Sequence, residues 1–193
     1  MIDKRGLSDI LSFVTPDAEA ISDTLFREYG SAERILTEDC ESIERVTGKS
    51  DVAVFLKLAA SLAKRRITDA FKFGVAHTNE EIEDYLFALF LCESEEKIYA
   101  LTLDAAGRVT KCALVGSGDV GYATLLPRKI ISLCERDGAS TVILAHNHPG
   151  GVAAPSEEDV RATKHTRELL ESVNVNLYLH YIYAGHNKCT VPV

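Results

Sequence analysis

Thr141-Val142-Ile143-Leu144-Ala145 is a short apolar run rich in β-branched residues, and it stops at two histidines, His146 and His148. Such a run reads as a buried strand, which commits the chain to a sheet with other elements packed on it. Side chains two apart on a strand share a face, so both imidazoles can reach one point while Asn147 looks the other way. A Pro- and Gly-containing stretch, Pro149 to Pro155, then folds the chain back to Ser156-Glu157-Glu158-Asp159, the start of an amphipathic segment that continues through Leu169 and Leu170. Ser156 is the expected N-cap of that helix, with Asp159 at its third position, near the strand end that carries the histidines.

Two neutral imidazoles and one carboxylate suit Zn²⁺, and three protein ligands leave the fourth tetrahedral position to water, the arrangement of catalytic sites. Each piece also has a plainer explanation. Ser-x-x-Asp before an apolar run is a capping-box variant, and His-x-His carries little information alone. Their combination across a short loop points to a metal hydrolase, with a relic site that no longer holds metal as the alternative.

The spacing His146-x-His148-Pro149, seven residues, Ser156-x-x-Asp159 resembles the JAMM signature of the JAB/MPN metalloprotease domain, and most closely its bacterial RadC branch. That branch also carries an upstream glutamate, an apolar strand ending in Leu-Asp, and a Pro-Arg opening a helix. Here these are Glu96, Ile98 to Asp104, and Pro127-Arg128. Leu25 to Gly30 and Ile43 to Gly48 are similar to the small helical, helix-hairpin-helix-like region of RadC proteins, so the likeness spans nearly the whole chain. It implies an α/β (α+β) architecture: a JAB/MPN-type mixed sheet flanked by helices over residues 74–193, preceded by an all-helical region over residues 1–73.

The resemblance also implies roles. His146, His148 and Asp159 would ligate Zn²⁺. Glu96 would be general base and then general acid, with Glu95 as the fallback if the register slips, and Ser156 would donate its hydroxyl to an oxyanion. Without the resemblance, Glu96 reads as a solvated charge. The expected substrate is a peptide or isopeptide amide in a protein or conjugate. The alternative is a DNA-associated accessory protein, binding weakly through its helical region. Departures from the family pattern are Gly150-Gly151 for Ser-Gly, Leu179-His180 for Asp-His, Lys188-Cys189-Thr190-Val191 for a Tyr-Ser-Phe tail, and Gly48-Lys49-Ser50 for a Gly-x-Gly. The Asp-to-Leu change at position 179 removes any role that the aspartate carried.

Other classes find less support. A nucleotide deaminase needs His-x-Glu with a later Pro-Cys-x-x-Cys, and neither is present. Five scattered cysteines without Cys-x-x-Cys spacing suggest reduced, mostly buried thiols and no zinc ribbon. The formal net charge of −8 disfavours tight binding of polyanions. Lys64-Arg65-Arg66 is the one compact basic cluster, read as the solvated last turn of a helix. No apolar stretch approaches membrane-spanning length and no signal core follows the start, so the expectation is a cytoplasmic protein without membrane association.

Periodicity predicts helices over Leu7–Val14, Pro16–Tyr29, Ala32–Leu36, Cys40–Val46 and Asp51–Arg66, with Val54, Leu58 and Leu62 forming the core face of the last. A helix capped by Thr78 or Asn79 and reaching toward Leu91 follows. Then come strands Lys97–Leu103 and Arg108–Val115, a loop at Gly116-Ser117-Gly118, helix Pro127–Cys134, the ligand strand, helix Ser156–Ser172 and strand Val175–Tyr183. The Gly116–Tyr122 stretch is the candidate mobile insert. His77, His165, His180 and His186 read as surface or internally satisfied residues.

Overall fold

The computed structural model describes residues 2–118, 126–149, 152–185 and 187–192, leaving aside the side chain of Glu33. Gly150, Gly151, His186 and all but the first three residues of the Gly116–Tyr122 insert therefore lie outside the described residues. The chain forms two compact units, one running up to Ile67 and including Leu91–Ser94, the other comprising Thr68–Phe90 and the chain from Glu95 onward.

The first unit is helical: α1 (Lys4–Leu11), α2 (Ala18–Tyr29), α3 (Ala32–Thr37), α4 (Cys40–Thr47) and most of α5 (Ser50–Ala70). Short polar caps separate the helices. Asp3, Ser31 and Asp39 each accept a backbone N–H in the first turn, and α2 and α4 end on Gly30 and Gly48 in the left-handed region. Its core gathers Leu7, Leu11, Ile21, Leu25, Ile35, Ile43, Val52 and Leu56.

Helix α5 corrects two expectations. Val54, Leu58 and Leu62 do share a face, but they are 60%, 56% and 59% exposed, whereas Val52, Ala53, Leu56 and Ala60 are buried. The helical period is right and the phase is wrong: the packed face includes two alanines, whose small size permits close approach, and the more apolar stripe faces outward. The helix also continues to Ala70, so Lys64-Arg65-Arg66 is not its last turn. Lys64 instead donates to Leu91 O (3.2 Å) and pairs with Glu93 (2.5 Å) within the same unit.

The second unit is a six-stranded mixed sheet in the order β1 (Val75–Ala76), β3 (Arg108–Gly118), β2 (Glu96–Leu103), β4 (Thr141–Asn147), β5 (Asn176–Ala184), β6 (Asn187–Thr190). Among the described residues only β4 and β5 pair in parallel. Helices α6 (Asn79–Phe90), α7 (Pro127–Asp137) and α8 (Glu157–Glu171) complete it. Thr78 rather than Asn79 caps α6, through reciprocal bonds with Glu81. The β2–β3 hairpin turns through Gly107 at φ 75°, with Asp104 Oδ1 accepting from Ala106 N and Arg108 N. Strand β3 extends through Gly116-Ser117-Gly118, which pair with Ile98, Lys97 and Glu96, so the loop expected there is strand. Strands β1 and β6, two and four residues long, fall outside the elements that periodicity predicts.

Two apolar layers sandwich the sheet. Ile143 and Ala145 of β4 pack with Ile82, Leu86 and Phe90 of α6 on one face, while Val142 and Leu144 pack with Ile130 and Leu133 of α7 and Leu170 of α8 on the other. This two-sided cover explains why β4 reads as an unbroken apolar run. The cysteines are all free, but only Cys134 is buried, with Cys40 exposed and three intermediate; the expectation of mostly buried thiols is corrected. Among the described residues no helix is long and apolar enough to cross a membrane.

The α5 phase has a direct consequence for stability. In urea unfolding of the full chain, Leu56→Ala is expected to cost about 2–5 kcal/mol as a core truncation. Leu58→Ala, two residues on and outward, is expected to stay within about 0.5 kcal/mol of wild type.

Candidate metal centre

Strand β4 runs between β2 and β5, and its alternation carries Val142, Leu144 and His146 to the face covered by α7 and α8. His148, one step beyond the strand, stays in line because its N–H donates to Tyr183 O of β5 at 2.8 Å. Opposite, Ile98 pairs with His146, so Glu96 at the start of β2 lies beside the same strand end. Asp159 arrives from the first turn of α8, where a complete capping box forms: Ser156 Oγ accepts from Asp159 N (3.0 Å) and Asp159 Oδ2 accepts from Ser156 N (2.8 Å).

Glu96, His146, His148 and Asp159 each offer one ligand atom, and these four atoms lie within 4.8 Å of one another. The two Nε2 atoms are 2.9 Å apart. His146 Nε2 is 3.2 Å from Asp159 Oδ1, and His148 Nε2 is 3.5 Å from Oδ2. His146 and Glu96 are buried at 1% and 6% exposure, while His148 and Asp159 are partly open. Burial pulls the Asp159 carboxyl upward, but hydrogen bonds from His146 and His148, made when these rings also carry a hydrogen on Nε2, and from Ser156 outweigh it and hold the group far below the usual carboxylate range. The hydrogen bond to Asp159, which the doubly protonated ring alone can make through Nε2, raises His148 above the ordinary imidazole value against the opposing pull of burial.

Ser156 stands at the edge of this cluster with both sides of its hydroxyl engaged. Its Oγ donates to Asp159 Oδ2 at 2.7 Å while accepting from Asp159 N. Glu95, the alternative to Glu96, contributes its backbone carbonyl to Asn147 and no ligand atom to the cluster.

The sequence resemblance and the architecture meet in the comparisons with known proteins. Residues 76–191 match the RadC-like JAB domain model. The chain belongs to the RadC-like JAB domain family. A UPF0758 protein of Vibrio cholerae serotype O1 (strain M66-2) is 32% identical over 166 residues, covering 84% of this chain and 74% of its own length. A UPF0758 protein of Shewanella sp. (strain MR-4) is 30% identical over 181 residues, covering 93% and 78%. The mixed sheet flanked by helices is the fold of this family's domain.

Three residues with geometric roles at the centre were not singled out as site residues. His180 of β5, 2% exposed, faces His146: its Nε2 is 2.8 Å from His146 Nδ1. Burial, with His146 adding to it, pushes the His180 imidazole down to about 3. Thr163, one turn after Asp159 on α8, contacts His180 Nδ1 at 2.7 Å. A helical i, i+4 count from Asp159 would have found Thr163; the family's Asp-His pair already points to His180, and the parallel β4–β5 pairing, a long-range fact, brings it to His146. The third is Asn147, which looks away from the imidazoles as expected but is not idle. Its Oδ1 accepts from Lys97 N (2.8 Å) and its Nδ2 donates to Glu95 O (3.0 Å), so one side chain grips the backbone on both sides of Glu96. Of the other histidines, His77 is satisfied by Lys72 O and stacks on Phe71, and His165 is exposed.

Removing the Asn147 grip is expected to be felt. Asn147→Ala leaves the Lys97 N–H and the Glu95 carbonyl without their partner, at about 1–3 kcal/mol in urea unfolding. Unchanged stability would mean that solvent replaces both bonds.

Proposed function

We propose that this protein is a zinc-dependent hydrolase of JAMM type that cleaves a peptide or isopeptide amide in a protein or conjugate substrate. The observation that carries the reading is the convergence of two imidazole nitrogens and two carboxylates within 4.8 Å. The chemistry of the donor set fits the ion. His148 Nδ1 lies 3.2 Å from Val152 O, and a carbonyl only accepts, so the neutral ring carries its proton on Nδ1 and leaves Nε2 as a ligand atom. Mixed nitrogen and oxygen donors, with two histidines and one carboxylate, suit Zn²⁺ better than the all-oxygen set that Ca²⁺ or Mg²⁺ requires. His146, His148 and Asp159 would hold the ion. Bound there, Zn²⁺ supplies a Lewis acid and lowers the pKa of a coordinated water to about 7.

The protein's own groups have separate tasks. Glu96 accepts the proton of the attacking water and returns it to the leaving amine nitrogen as the C–N bond breaks. Its burial at the strand end keeps the carboxylate close to the ligand atoms, and Asn147 holds the backbone on either side. Ser156 donates its hydroxyl to the oxyanion of the tetrahedral intermediate. That role requires the proton to leave Asp159 Oδ2, where it is directed in the substrate-free protein, while the Ser156 oxygen continues to accept from Asp159 N. Cap and oxyanion donor thus use opposite sides of one hydroxyl.

The test is zinc per chain, measured by mass spectrometry on the full protein purified without added metal. Near-stoichiometric zinc is expected in wild type, and its loss in His146→Ala and Asp159→Ala variants of intact fold. No zinc after reconstitution of wild type would overturn the reading. Glu96→Gln is expected to keep the metal and lose about 10²- to 10⁴-fold in amide turnover across a panel of peptides and conjugates.

A further inference from the structure

Behind the four clustered ligand atoms runs a chain of three short contacts whose proton directions can be derived. Thr163 Oγ1 is 2.5 Å from the backbone carbonyl oxygen of Asp159. A carbonyl oxygen can only accept, and a hydroxyl has a single proton, so that proton points at Asp159 O. Toward His180 Nδ1, at 2.7 Å, the same hydroxyl can therefore only accept, and Nδ1 must carry a hydrogen. At 2% exposure, with only a hydroxyl and an imidazole against its two nitrogens, the His180 ring carries one N–H, which leaves Nε2 as an acceptor. It lies 2.8 Å from His146 Nδ1, which must then be the donor. A neutral His146 with its proton on Nδ1 presents a bare lone pair at Nε2, the atom that faces His148 Nε2 and Asp159 Oδ1.

The alternative proton order fails at its first step. If Thr163 donated to His180 instead, two oxygens with no hydrogen between them would face each other at 2.5 Å. The chain also begins on Asp159, so α8 both supplies a carboxylate and anchors the relay that orients an imidazole on β4. Both donor residues on the two elements are thereby linked through β5.

We propose that Thr163 and His180 are positioning residues: they hold His146 in the Nδ1–H tautomer, with Nε2 open, and tie its ring orientation to the backbone of Asp159. Their purpose, the preparation of a ligand atom, rests on the zinc reading above; the proton arrangement does not. Neither residue touches the ion or the substrate. Partners of this kind behind a metal-binding histidine change affinity by about 10- to 100-fold when removed.

The experiment reads the two separately. Histidine side-chain ¹⁵N NMR on the metal-free full chain at alkaline pH reports the tautomers, and chelator competition reports the zinc dissociation constant. Wild type is expected to show His146 and His180 both as Nδ1–H. In Thr163→Val, the Nδ1–H of His180 loses its only acceptor on this path. The tautomers of His180 and then His146 are expected to move toward Nε2–H, with zinc binding weakened about 10- to 100-fold. Thr163→Ser, which restores the hydroxyl, is expected to restore both readouts. Wild-type His146 found as Nε2–H overturns the proposal. So does a folded Thr163→Val protein with wild-type tautomers and zinc affinity. If Thr163→Val does not fold, the wild-type tautomer decides alone. A wild type with the Nδ1–H pattern that takes up no zinc would sustain the relay while the zinc reading fails.

Discussion

The position of β4 in the middle of the sheet is the constraint from which the rest of the centre follows. It is paired on both edges, antiparallel to β2 and parallel to β5, and covered on both faces. A strand held this way has one register, because a slip by one residue would drive Val142, Leu144 and His146 into the opposite layer. The register therefore decides at once that His146 faces α8, that Ile98 lies beside it, and that β5 carries His180 to its ring. A polar group as deeply buried as His146 is tolerable only among polar partners: its Nδ1 meets His180, and its Nε2 opens on the other ligand atoms.

The N-terminus of α8 is the second fixed point, and it serves two demands with the same atoms. Asp159 completes a capping box and sits in the first helical turn, where a carboxylate also complements the helix dipole. Capping occupies Oδ2, through the backbone and hydroxyl of Ser156, and leaves Oδ1 directed at His146. The choice between a structural and a functional explanation of Ser-x-x-Asp is thus not exclusive. The cap fixes the rotamer of the residue that meets the imidazoles.

Much of this was legible in the sequence where the information is local. The apolar run into His-x-His, the Pro- and Gly-rich turn and the Ser156 cap are each written within a few residues, and their strand, loop and helix follow from periodicity and capping chemistry. Glu96 was readable through family resemblance alone, since nothing within Glu93-Ser94-Glu95-Glu96 tells which carboxylate turns inward; pairing with Gly118 decides it. The outward phase of α5 was not legible either. Hydropathy favours the Val54, Leu58 and Leu62 stripe, and only the shapes of neighbouring helices select the face bearing Ala53 and Ala60. Thr163 lay within a helical i, i+4 count of Asp159, and His180 was pointed to only by the family's Asp-His pair; the contacts that give His180 and Asn147 their roles span 34 and about 50 residues, distances over which no local pattern speaks.

The grip of Asn147 on Glu95 and Lys97 gives the centre a common frame of reference. The imidazoles and the side chain that steadies Glu96 come from three consecutive residues at and just beyond the end of β4, so a shift of that stretch carries all of them together. Relative position is then preserved where absolute position is not. Two strands whose facing ends were joined only by ladder hydrogen bonds could shear at their frayed termini, and a proton acceptor on one would drift from ligand atoms on the other. Here the shear is braced by a side chain, and the tolerance of the arrangement is set by the length of one amide rather than by the stiffness of the sheet.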